Sequence, residues 1–212
     1  MNARFIKSPV LLLFICFAVL HSSAQIGFKV SELSPYGDIG QYFNKGAAID
    51  VYAVLKEGPW KERFGIFYSH LKPRIDTFPV YAVQSIGSQQ TVIPGFLANH
   101  TLTFAYITGD LSHRIVQFKG FSLYGGAGII AGKSHTEYDE VYTSVSSDHS
   151  NIDVLIAGFK LCGSLDYKIS DHLHVYGEYT YNGIVATDWS THYTNTLFSI
   201  GLDYSIKPFD DD

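Results

Sequence analysis

The segment Thr196 to Ile206, TLFSIGLDYSI, alternates at every step. Phe198, Ile200, Leu202, Tyr204 and Ile206 are large and apolar or aromatic, and Ser199, Gly201, Asp203 and Ser205 lie between them. Period two is the signature of an extended strand, whose successive side chains point to opposite faces. Seven further segments repeat the pattern: Ile26 to Leu33, Gly46 to Lys56, Glu62 to Lys72, Ala98 to Thr108, Gly120 to Gly132, Ile152 to Lys168 and His172 to Asn182. Most have about the nine to eleven residues with which a tilted strand crosses hydrocarbon. With 15 Tyr, 15 Phe and 19 Gly, and no long helical periodicity, the chain reads as all-β.

Residues 1–24 read as a leader rather than as fold. Arg4 and Lys7 precede an apolar run from Val10 to Leu20, and Ser22 and Ala24 precede a cut ahead of Gln25. That run is too short for a membrane helix and has the flanks of a secretory signal peptide. Ile15 before Cys16 argues against lipid anchoring. The expected domain is therefore 25–212, with Cys162 its one cysteine and no intramolecular disulfide. No later segment has the apolar length of a spanning helix, so membrane insertion would fall to strands. The formal charge is −5, and losing Arg4 and Lys7 makes it more negative. Nucleic acid is not an expected partner.

The links between segments alternate in length. Glu57 to Lys61, Gly109 to Lys119 and Ile169 to Asp171 are comparatively compact. Ser34 to Lys45, Pro73 to Leu97, Lys133 to Asn151 and Gly183 to Asn195 are longer. Short turns at one end and long loops at the other describe an eight-stranded antiparallel up-and-down transmembrane β-barrel. Val80 to Ser85 and Gln90 to Ile93 suggest a small hairpin, either rising above the membrane or adding two barrel strands. Ten strands is thus the minor alternative.

The charges decide which face is inside. Asp50, Arg63, Lys160, Asp166, Glu178 and Asp203 fall opposite the greasy residues, beside glycines. A sandwich would leave that face to water. In an eight-stranded barrel the interior is just wide enough to be filled by side chains, and opposed charges there satisfy one another. We expect these six to plug the lumen, with little or no conductance. Phe159, Leu161, Tyr179, Phe198, Ile200, Leu202 and Tyr204 then face lipid. Leu102, Phe104 and Tyr106 are expected to do so too. Tyr68, Tyr106, Tyr167, Tyr181 and Tyr204, with Trp60 and Trp189, suit the headgroup level.

The signal ending Ser22-Ser23-Ala24-Gln25, the loop Ser34-Pro35-Tyr36-Gly37-Asp38-Ile39-Gly40 and the final Gly-Leu-Asp-Tyr-Ser-Ile together resemble the small outer-membrane β-barrel proteins of Gram-negative bacteria, the OmpA-transmembrane-domain-like family. The resemblance implies an outer-membrane, porin-like shape inserted by the barrel assembly machinery. In that family the machinery reads a last strand ending in an aromatic residue; here Lys207, Pro208, Phe209 and three aspartates follow it.

Candidate chemistry is sparse. His172 and His174 share a strand face but lack a third zinc ligand. Asp148, His149 and Ser150 have the residue types of a catalytic relay, but adjacent residues do not line up as one. Tyr36 to Gly40 reads as a turn, and Cys162 as an inward filler. Ser69 with His70, or Ser190 with His192, would be the candidates if the chain were a lipid A-modifying acyl hydrolase or transferase. A soluble lipocalin-like lipid carrier is the other alternative. The expectation is a non-catalytic monomer with no cofactor and no metal, surrounded by outer-membrane lipid. Its loops would meet an unidentified surface ligand.

Overall fold

The computed structural model describes residues 25–86, 89–142, 145–186 and 192–205. Residues 1–24, expected to be a leader, Trp189, Ser190 and the tail from Ile206 lie outside them. The described residues form β1 (Gln25–Tyr36), a short helix α1 (Gly37–Tyr42), β2 (Gly46–Glu57), β3 (Trp60–Leu71), β4 (Thr77–Ile86), β5 (Gln89–Phe118), β6 (Phe121–Tyr142), β7 (Val145–Ser170), β8 (Leu173–Ala186) and β9 (His192–Tyr204). Every pairing is antiparallel. β1 closes on β9, from Ile26 opposite Tyr204 to Tyr36 opposite Thr194. β3 pairs with β5, from Trp60 opposite His113 to Leu71 opposite Leu102. The result is a ring of eight strands, with β4 outside it.

The minor ten-strand alternative is not what forms. β4 pairs only with the first part of β5, from Thr77 opposite Ala98 to Ile86 opposite Gln89. β3 takes over as the partner of β5 from Leu102 onward, so this hairpin extends the wall beyond the ring. At Ala98/Thr101 the β5–β6 ladder shifts register. A bulge of this kind re-aims the strand where it leaves the closed ring.

The ring's two ends differ, as the alternating links suggest. At one end the connections shrink to Gly58-Pro59, Lys119-Gly120 and Asp171-His172. The expected link from Gly109 to Lys119 is instead strand up to Phe118, followed by a two-residue turn. Lys119 and Gly120 both have positive φ, 43° and 84°, the conformation of the hairpin turn whose twist matches its strands. At the other end β5, β6 and β7 run 30, 22 and 26 residues. That is two to three times what a bilayer requires. The expected loop from Lys133 to Asn151 is therefore mostly a β6–β7 ladder, paired as far as Tyr142 opposite Val145.

The interior has two layers. Toward the long-strand end, Leu33, Phe67, Leu71, Leu102, Phe104, Tyr106, Ile130, Ile156, Ile184, Tyr193 and Leu197 pack as one apolar cluster. The Phe67 and Tyr106 rings stack with centroids 4.2 Å apart. The facing expected for the fourth segment is thus reversed: Leu102, Phe104 and Tyr106 are buried, while Ile107 and Leu111 point out. Tyr106 consequently leaves the set of headgroup-level tyrosines. Tyr68, Tyr167, Tyr181 and Tyr204 remain on the outer face.

The segment expected to be a turn, Tyr36 to Gly40, contains the start of α1. This helix sets Ile39 and the following Phe43 onto the apolar layer. Backbone bonds from Asn44 N to Lys72 O (3.0 Å) and from Arg74 N to Tyr42 O (2.7 Å) tie it to the chain after β3. Below this layer the interior is ionic.

Candidate functional site

The ionic layer is built from inward positions of seven ring strands. One string alternates in sign: Asp50 on β2, Lys29 on β1, Glu178 on β8, Arg63 on β3, Asp110 on β5 and Lys160 on β7. Lys29 Nζ donates to Glu178 Oε1 at 2.8 Å and lies 3.2 Å from Asp50 Oδ2. Arg63 Nε donates to Asp110 Oδ1 at 2.8 Å, and its other end pairs with Glu178 Oε2. Lys160 Nζ closes the string on Asp110 Oδ2 at 2.6 Å. The string is neutral.

A separate triad lies nearer the turns. Lys61 Nζ donates to Asp166 Oδ2 at 2.7 Å and to Asp203 Oδ2 at 2.6 Å. Tyr52 donates its hydroxyl to Asp203 Oδ1 at 2.7 Å and also meets the Tyr176 hydroxyl. Ser164 donates to Asp166 Oδ1 at 2.9 Å. β6 joins through the ring of Tyr124, whose centroid is 5.5 Å from Lys61 Nζ. Every paired side chain in both groups is at most 4 % exposed. Burial at that level is tolerable only because each charge faces an opposite one. The Tyr52 and Tyr176 rings lie where Gly27 and Gly201 leave space, since a Cβ at either glycine would overlap a ring. Two of the inward glycines are therefore the counterpart of two inward tyrosines.

All six residues proposed from the sequence for the interior lie in these two groups. Sequence reading missed Lys29, Lys61 and Asp110. Lys29 shares the parity of Gly27 and Ser31 and was legible. Lys61 and Asp110 fall in the expected links Glu57 to Lys61 and Gly109 to Lys119, and the structure has both on strands, β3 and β5.

The outer face inverts this pattern. Phe159, Leu161, Tyr179, Phe198, Ile200, Leu202 and Tyr204 are each about half exposed or more, within a belt that includes Phe28, Ile66, Ile107 and Ile129. Glu62 stands outward at its turn end, between Leu55 and Leu111, and ionisable outward groups cluster at its upper edge. On one side Lys45 Nζ pairs with Glu32 Oε1 at 2.6 Å. On the other, a transverse row crosses four strands: His70 and Thr103 (3.0 Å), then His135 and Asp153 (2.7 Å). His135 also reaches Glu137, and His149 bonds Asp139 at 2.8 Å. Asp153 holds the His135 imidazole above its ordinary range, and Asp139 does so for His149.

No family model matches the chain, and no curated protein does. Solved structures do. Neisserial surface protein A is 13 % identical with a TM-score of 0.54, over 87 % of this chain and 98 % of its own. The chain has the fold of the small outer-membrane β-barrel proteins. Two others of that class, a major outer membrane protein from Thermus thermophilus and the attachment invasion locus protein Ail of Yersinia pestis, are 10 % and 12 % identical, with TM-scores of 0.47 and 0.41. They cover 85 % of this chain, and the alignments span 98 % and 96 % of their own.

On this outer-membrane barrel fold the candidate catalytic pairs separate. Ser69 is buried inside the wall while His70 is exposed on its outer face, because neighbours on a strand point oppositely. Ser190 lies outside the described residues, so its pairing with His192 is undescribed. Asp148, His149 and Ser150 sit on β7 rather than in a loop, and His149 turns to Asp139 on β6. His172 donates Nδ1 to the Ser205 carbonyl at 2.9 Å, and His174 is buried at the turn end. Among the described residues no group of three or more His, Cys, Asp or Glu is placed to hold a metal ion. Cys162 Sγ lies 3.7 Å from Arg63 Nη2 and from Ser112 Oγ.

Proposed function

We propose that this chain is a non-catalytic integral protein of the outer membrane, exported through its 1–24 leader and embedded as a monomer. The supporting observation is the inversion of polarity: a closed wall with its ions within and its aliphatic and aromatic side chains without. In water that wall would expose an apolar surface far beyond what soluble monomers carry. In lipid it is matched, and the ring leaves no unpaired edge. The packed apolar layer and the braced ionic layer close the lumen to ions, and a lipocalin-like carrier would need a hollow where these side chains lie. By its resemblance the chain would be inserted by the barrel assembly machinery.

Its role lies in surface contact. The β4–β5 hairpin belongs to a stretch, Thr77 to Gly109, without Asp, Glu, Lys or Arg. The hairpin exposes Tyr81, Val92 and Phe96 on one face, set by the register Tyr81 opposite Pro94, Val83 opposite Val92 and Pro79 opposite Phe96. An exposed apolar face on a projecting ribbon is a place for an extracellular partner.

Cell fractionation with gel migration before and after boiling tests the membrane reading. The expected result is outer-membrane recovery with a heat-dependent mobility shift, and silent planar bilayers. A processed chain that stays monodisperse in plain buffer, or one that conducts steadily, overturns it.

A further inference from the structure

We propose that the open edge of β4 pairs with the same edge of a second copy of this chain standing in a facing membrane. The inference rests on the membrane reading above and names the partner of the projecting hairpin. Among the described residues β4 has one neighbour, β5, so one side of its backbone is open. The prolines say which residues face that side. Pro79 stands opposite Phe96 and Pro94 opposite Tyr81, and a residue without an N–H is tolerated where the ladder does not call for one. The odd-numbered residues of β4 therefore turn their backbone groups to the open edge. Pro79 offers only a carbonyl there, and beyond it Tyr81, Val83 and Ser85 each offer an N–H and a C=O.

The sheet that rises above the ring has a second free edge. β7 pairs with β8 only from Ile156 onward, and the part of β7 above that point carries Asp148, His149 and Asp153. Charges on an edge keep other strands off it. The β4 edge has no such guard, since no Asp, Glu, Lys or Arg falls between Thr77 and Gly109. Charge also favours a copy of the chain as the occupant. Joining β4 to β4 sets the uncharged hairpins in the middle of one sheet and leaves β6 and β7 of each copy, with Glu137, Asp139, Asp148 and Asp153, on its two far sides. An antiparallel register with Val83 opposite Val83 sets Tyr81 opposite Ser85 on both sides of a two-fold axis normal to the sheet, and the ladder ends before Pro79 is reached. The exposed Tyr81, Val92 and Phe96 of both copies then share one face.

The same symmetry fixes the two membranes. β5 descends to the turn end, and β4, antiparallel to it in a hairpin that prolongs the wall, runs away from the membrane. Its antiparallel mate runs toward that membrane, so the mate's barrel stands in the opposite one. A copy in the same membrane presents β4 pointing the same way and meets it only in parallel. Each barrel stays alone in its own membrane, and the contact joins two surfaces.

The test uses the full chain, purified as a heat-shifting barrel and reconstituted into phospholipid vesicles. Light scattering should show the vesicles clustering. Val83→Pro removes the N–H at the centre of the edge and leaves the β4–β5 ladder intact, so clustering should be lost while the heat shift is kept. Val83→Cys in a Cys162→Ser background, placed in two vesicle populations under different affinity tags and mixed with copper–phenanthroline, should give disulfide dimers that join the two tags. Vesicles that stay dispersed, dimers of like tags alone, or clustering that survives Val83→Pro each overturn the proposal; the first leaves the edge to a foreign strand, and the second puts the pair within one membrane. A chain with no heat shift fails the membrane reading and takes this proposal with it, whereas one that shifts without joining vesicles fails here alone.

Discussion

Lys61→Met should be the most damaging single change in the ionic layer, and the arrangement of charges says why. Lys61 is the only cation in a triad whose other members are Asp166 and Asp203, at 2.7 and 2.6 Å. Methionine keeps most of the volume and leaves two buried carboxylates facing the hydroxyl donors Ser164 and Tyr52 without a cation of their own in the triad. Removing one partner of a buried pair costs about 3–5 kcal/mol because the other charge is stranded. Lys160→Met provides the internal comparison. It removes the end of the alternating string, and Asp110 still has Arg63 at 2.8 Å; the loss is one charged hydrogen bond, about 1.5 kcal/mol. With a urea dependence of about 2 kcal/mol per molar, the two midpoints should fall by roughly 2 M and 0.7 M. The assay is urea unfolding of the chain in vesicles, followed by Trp fluorescence and by the folded band on unboiled gels. Adding Asp166→Asn and Asp203→Asn to Lys61→Met should recover more than half of the loss. If Lys61→Met costs no more than Lys160→Met, water reaches the turn end of the lumen, screens the triad, and the argument fails.

Nitroxide labels at Phe159 and Ile200 should relax strongly with lipid-dissolved oxygen, and a label at Tyr106 should not; a responsive Tyr106 label would contradict the facing of β5. Gly201→Val places two methyls against the Tyr176 ring and should destabilise the barrel by about 1–3 kcal/mol, measured in the same urea assay. The projecting β6–β7 ribbon should loosen as pH rises. The imidazoles of His135 and His149 titrate above their ordinary range because Asp153 and Asp139 bond them. Their contribution is complete below the unfolded value near 6.5 and fades as pH rises through the higher folded one. Asp153, held low chiefly by His135, acts the other way, losing its contribution only as pH falls below the unfolded carboxylate value. Amide exchange in the ribbon, corrected for intrinsic rates, should therefore be slower at pH 5.5 than at pH 8.5. The difference should shrink in Asp139→Asn and Asp153→Asn, and equal protection at both values in the unmodified chain would refute it.

Strand count and closure were legible because alternation is a local signal repeated eight times. The ends of strands were less so. The run from Asp110 to Phe118 looks like a polar link by composition, and pairing with β3 as far as His113 and with β6 as far as Phe118 makes it strand. That misplaced boundary also explains the reversed facing of Leu102, Phe104 and Tyr106. Alternation divides a strand into two faces without saying which is inside, and large apolar residues suit both a lipid-facing wall and a packed lumen. A charge breaks the tie, because an ion facing hydrocarbon is costlier than one facing an opposite ion. Between Thr77 and Gly109 there is no such charge to consult. Asp110, one step beyond, shares the parity of Tyr106 and Phe104 and is paired inside with Arg63 and Lys160. Read through to Asp110, the strand orients itself, and the apolar upper layer of the interior follows from the same step.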